Sequence, residues 1–114
     1  MSAGIGAFAN KVSDDEVIIY KYGGYNLNKA EYRNESYIDD GIITISKICF
    51  TNFKTYNLDE MIKLDLIIIK NCSCCWHTTI DEKHIDVMAL HILFRIFRKY
   101  QEERKIPENI SYDI

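Results

Sequence analysis

One proline and five glycines serve a chain of 114 residues. With so few residues that keep a backbone open, and with no internal repeat, a low-complexity or disordered polypeptide is excluded. Apolar residues make up 47% and charged residues 27%. That balance belongs to a globular protein of one domain, residues 1–114, large enough to bury a core without metal or disulfide support. Charge of one sign is lacking too, since a net charge of −3 is too small to name a partner. No apolar run reaches the length of a membrane span. The opening "MSAGIGAFANK" has neither the positive start nor the apolar stretch of a secretory signal. The expected location is therefore cytoplasmic, with residues 1–12 as an N-terminal arm and 106–114 as a C-terminal tail.

What is abundant is equally skewed: 19 isoleucines against 6 leucines, with 10 lysines, 8 asparagines and 8 tyrosines. These residues have AT-rich codons, which suggests a low-GC source such as a Gram-positive bacterium or its mobile elements. Glu16 to Tyr22, "EVIIYKY", is β-branched and aromatic and predicts a strand. Gly41 to Phe50, "GIITISKICF", predicts a second, with Ile43 and Ile45 on one face and Thr44 and Ser46 on the other. Asn57 followed by Glu60 has the form of a helix-capping box and predicts one or two helical turns. Lys63 to Cys72 carries Ile67, Ile68 and Ile69 in succession, so both faces are apolar and a central strand is expected.

A second capping box, Thr79 to Glu82, predicts the start of a long helix running from about Ile80 to Arg104. Ile85, Met88, Ala89, Ile92, Leu93, Ile96 and Tyr100 form its core stripe, with Val87, Leu90, Phe94 and Phe97 a second stripe beside it. His84, His91, Arg95, Arg98 and Glu102 supply the polar line. So much apolar surface predicts burial on two sides or a homodimer through Phe94 and Phe97. The fold expected is α+β, an antiparallel sheet of three or more strands packed against one long C-terminal helix.

Chemistry-bearing clusters are few. Cys72, Cys74, Cys75 and His77, with Cys49 as a fourth thiol, could form a metal-binding or thiol-based module, but the spacing does not match that of paired zinc ligands. Reduced thiols at a strand end are the simpler reading, and no metal or other cofactor is expected. His84, His91 and Arg95 share a helix face and could meet an anion, although a solvated stripe explains them as well. Gly23 and Gly24 lack the rest of a phosphate loop and read as a turn with positive φ. The basic stretch Arg95 to Lys105 is offset by Glu102 and Glu103, so nucleic acid is not the expected partner. No nucleophile, base and orienting group stand at spacings that imply catalysis, and the chain is not read as an enzyme.

The remaining feature is the long connection from Tyr22 to Gly41. A disordered loop is poor in aromatics, whereas this one carries Tyr25, Asn26, Glu31, Tyr32, Glu35, Tyr37, Asp39 and Asp40. Rings and carboxylates in an ordered segment suit a surface that grips another protein. The function expected is a small protein-binding inhibitor of the toxin-immunity or phage-antagonist kind. It would neutralise a larger protein, for instance a nuclease, by covering a basic cleft.

Overall fold

The computed structural model describes residues 4–51, 57–73, 77–80 and 83–113, with the side chains of 77–80 and 83–84 outside that description. Two ten-residue strands, β1 (Ile5–Asp14) and β2 (Val17–Asn26), form an antiparallel hairpin. A register shift between Lys11 and Ser13 leaves Val12 exposed at a bulge. β3 (Gly41–Ser46) pairs with β2, and β4 (Ile67–Lys70) pairs with β3. Between these lie two short helices, α1 (Ile48–Thr51) and α2 (Leu58–Lys63). A separate hairpin of β5 (His77–Ile80) and β6 (Lys83–Asp86) leads into α3 (Val87–Glu103), and β7 (Asn109–Asp113) closes the chain. The five-stranded sheet has the order β4-β3-β2-β1-β7 and is antiparallel throughout. The architecture is α+β, with α3 packed on the sheet.

Alternation along the strands sorts the two faces. Ala7, Ala9, Ile18, Tyr20, Tyr22, Ile43, Ile45, Ile67 and Ile110 are buried on the face that meets α3. The helix answers with Met88, Ala89, Ile92, Leu93 and Ile96. Small side chains at Ala7 and Ala9 leave room for α3 to lie over β1 and β7, which it touches directly. The alternation expected for β3 holds over Gly41–Ser46, but the strand stops there and Ile48–Phe50, expected to continue it, turn into α1. Asn57 caps α2 by accepting from the Glu60 amide at 2.8 Å. Tyr20 donates from the core to the Pro107 carbonyl, tying β2 to the connection between α3 and β7.

Several expectations change. Residues read as a terminal arm form most of β1, an interior strand, and those read as a tail form the edge strand β7. "GAFANK" has no β-branched residue and its core-facing residues are alanines, so it carries little strand signal. The isoleucine-rich strand is not central: β4 is the other edge, and Ile68 stands 55% exposed on the face away from α3. Helix α3 starts at Val87 rather than near Ile80, because β5 and β6 take those residues into a hairpin and Asp86 supplies the cap. Phe97 does not join Phe94 on an open stripe. Its ring packs on Phe50 at 5.1 Å, leaving Phe94 alone, 59% exposed. Gly23 and Gly24 lie inside β2 without positive φ. Gly23 is required by close approach, since a Cβ there would meet the Ile38 carbonyl and the Phe8 ring.

Asp86 is the sole buried charged residue among those described. One carboxylate oxygen accepts from the Met88 amide at 3.0 Å and so caps α3. The other accepts from the Tyr22 hydroxyl at 2.8 Å and from the Cys72 thiol at 3.4 Å. Asp86→Ala is expected to lower stability by about 2–4 kcal/mol, adding a lost cap to an orphaned buried hydroxyl. Asp86→Asn, which keeps an acceptor, is expected to cost less. Urea unfolding of the three proteins measures both.

Candidate protein-binding surface

Residues 27–40 leave the end of β2 and return across the face of the sheet opposite α3. Asn34 pins the crossing: its side-chain amide donates to the carbonyls of Gly24 and Ile38, each at 3.0 Å, and its side-chain oxygen accepts from the Ile38 amide at 2.8 Å. The Tyr37 amide donates to the Asn34 carbonyl at 3.0 Å, closing a turn in which both residues have left-handed backbones, φ 51° and 52°. Tyrosine in that region is uncommon and carries a steric cost. The Tyr37 ring rests edge-on against Phe8, centroids 5.8 Å apart, yet remains 73% exposed.

The eight residues singled out from the sequence divide. Glu31 and Tyr32 sit on a short 3-10 turn, Ala30–Tyr32, with Lys29 5.9 Å from the Tyr32 ring centre. Glu35 is highly exposed beside Arg33, at 3.9 Å. Asp39 faces Lys21 at 3.8 Å. Tyr25 is half-buried in β2, where burial raises its hydroxyl pKa, helped by Asp113 and Tyr37. Tyr25, Tyr37 and Asp39 line a shallow groove with Phe8, Ser111 and Asp113. Two residues have internal work instead. Asn26 accepts from the Asn28 amide at 2.9 Å, shaping the turn out of β2. Asp40 accepts from the Ser73 amide at 3.0 Å, and that bond holds its carboxyl below the usual range.

The acidic residues between positions 14 and 40 fall in two separate places. Asp14, Asp15 and Glu16 lie at the turn of the β1–β2 hairpin, whereas residues 27–40 leave its other end, about 30 Å away at the usual strand rise. Asp14 is also engaged, by Lys11 at 2.7 Å and Lys47 at 3.5 Å. Phe8, Ser111 and Asp113, which complete the groove, were not legible as site residues. They come from the two chain ends, and only the pairing of β1 with β7 brings them to the loop.

The thiol cluster is answered in part. Cys74 and Cys75 lie outside the described residues, as does the His77 side chain. Burial pushes the Cys72 thiol up to about 12, with Asp86 adding to the effect, and the Cys49 thiol up to about 11. Both are protonated at neutral pH, which removes them as nucleophiles. Of the histidine line, His84 has no described side chain, while His91 stacks on Tyr112 at 4.4 Å with Arg95 5.4 Å from the same ring. No helix among the described residues is long and apolar enough to cross a membrane. No family model matches the chain, and neither a curated protein nor a solved structure matches it at a significant level.

Alkylation at pH 8 followed by peptide mapping is expected to leave Cys49 and Cys72 unmodified in the folded protein and to label both in denaturant. Because their pKa values are raised above the ordinary 9.0, the stability they confer is complete below about pH 9 and is lost as pH rises toward 12. Urea midpoints measured across that window should fall. Asn34→Ala is expected to speed tryptic cleavage after Lys29 and Arg33 severalfold while the thermal midpoint changes little, since the loop opens independently of the core.

Proposed function

We propose that this protein is a stoichiometric protein-binding inhibitor, of the toxin-immunity or phage-antagonist kind, that docks the loop of residues 27–40 on a basic cleft of a larger protein such as a nuclease. The observation that carries the reading is Tyr37: a large ring, 73% exposed, on a left-handed backbone that Asn34 fixes, its carbonyl accepting from the Tyr37 amide and its side chain holding both backbone groups of Ile38. Holding an aromatic in that state costs about 1–3 kcal/mol, a strain that clusters at binding and switch sites. An ordered loop loses little conformational freedom when it binds, so more of its contact energy appears as affinity. Tyrosine brings area with few rotatable bonds, and Glu31 and Glu35, exposed in the same loop, supply a field that draws a cationic surface.

The test is capture from native extract with immobilised wild type and with a triple variant, Tyr37→Ser, Glu31→Gln and Glu35→Gln. One protein with a basic surface should be retained by the wild type, in amounts that fall as salt rises, and recovered at least about tenfold less by the variant. Equal recovery by the two proteins rejects the loop as the binding surface. A retained protein whose measured activity the wild type leaves untouched rejects inhibition.

A further inference from the structure

Strand β7 is an edge, and its register shows which of its backbone groups face outward. The Lys11 amide donates to the Glu108 carbonyl at 2.8 Å, so Lys11 and Glu108 form a hydrogen-bonded pair. The same register sets Ala9 against Ile110 and Ala7 against Tyr112, the next hydrogen-bonded pairs, with Asn109, Ser111 and Asp113 between them. In an antiparallel ladder the intervening residues turn their amide and carbonyl groups away from the neighbour. Asn109, Ser111 and Asp113 thus present a row of donors and acceptors to the outer edge, all three residues are exposed, and no described residue pairs with them there. Such an edge invites strand addition unless charges, a proline or a bulge block it, and β7 has neither proline nor bulge and carries one charge, Asp113 at its end.

The geometry points to a second copy of this chain as the occupant, joined through antiparallel β7 strands about a two-fold axis at Ser111. Outward groups can pair only with outward groups, so this register sets Asn109 against Asp113 of the second copy, Ser111 against Ser111 of the second copy, and the mirror pair. On the α3 face it sets Ile110 against Tyr112 of the second copy, twice. Each pair is of a favourable cross-strand kind: amide with carboxylate, hydroxyl with hydroxyl, and branched aliphatic with aromatic. A residue order that is complementary to itself is what a two-fold interface requires. The exposed Phe94 belongs to the same edge, lining the groove between α3 and β7 with Tyr112. Joining the edges sets the two α3 helices side by side, where each Phe94 loses water contact. The product is a continuous ten-strand sheet with both helices on one face and both tyrosine loops on the other, twice the five strands of one chain.

Sedimentation equilibrium of the full chain is the measurement. Wild type is expected to form dimers within a range extending to about 100 μM, where mass action favours even a micromolar interface. Ser111→Pro removes an amide that β1 does not use, so a monomer with unchanged circular dichroism is expected. Asn109→Asp opposes two carboxylates at each end of the paired strands and should weaken dimerisation about tenfold or more. Adding Asp113→Asn restores the amide–carboxylate pairs in reverse and should recover it. Wild type that stays monomeric overturns the proposal and leaves the edge to an extended segment of another protein. A dimer that survives Ser111→Pro, or a double variant no better than the single, overturns the register even if dimers form.

Discussion

A single buried carboxylate organises this fold. Asp86 closes the first turn of α3, receives the Tyr22 hydroxyl from β2 and the Cys72 thiol from the segment after β4, and its own amide donates to the Asn71 side chain at 3.0 Å. Tyr22 passes the link onward by accepting from the Cys72 amide at 3.0 Å. Helix, sheet centre and sheet edge therefore meet at one group that has no exposure to water. A buried polar atom costs energy unless its partners are in place, so this junction is stable in one arrangement only. It sets where α3 begins and along which line of the sheet the helix lies.

With one face of the sheet committed to α3, the other is free for the loop of residues 27–40. The two faces are linked by β1, whose alternate residues serve different tasks: Ala7 and Ala9 make room for the helix, while Phe8 between them supports Tyr37. Gly23 completes the arrangement, because the Ile38 carbonyl occupies the space a side chain would need. The strained tyrosine is thus held by the scaffold, which is the form a preorganised contact surface takes. The inhibitor reading rests on that surface, to which the exposed Glu31 and Glu35 of the same loop belong, while Asp39 faces Lys21 and Asp40 holds the Ser73 amide.

Much of the fold was legible where one interaction decided the local structure. The β-branched runs of β2 and of Gly41–Ser46 in β3, the Asn57 cap of α2 and the core stripe of α3 from Met88 onward all follow from near-neighbour chemistry, whereas Ile48 to Phe50 leave the expected strand for α1 and Ile85 falls in β6. Legibility failed where two readings were locally equal. Thr79 to Glu82 has the form of a helix cap, but pairing of β5 with β6 outweighed it and passed the cap to Asp86. Ile67 to Ile69 suits a buried strand at any sheet position, and only the order of the strands made it an edge. Of the candidate surface, Tyr32, Glu31, Glu35 and Tyr37 were readable as an exposed group. Asn26 and Asp40 were not readable as structural, since their amide partners are set by turns and by a crossing of distant segments.

The amino-acid order alone determined the class of the protein, the faces of its strands and the apolar side of its last helix, because those depend on periodicity and on bonds between residues a few positions apart. Tertiary structure decided which strands became edges, which aromatics stayed in solvent and which ends of the chain joined the loop. Those outcomes depend on contacts between residues as far apart as Phe8 and Ser111, held by β1–β7 pairing, and no local preference encodes such pairing.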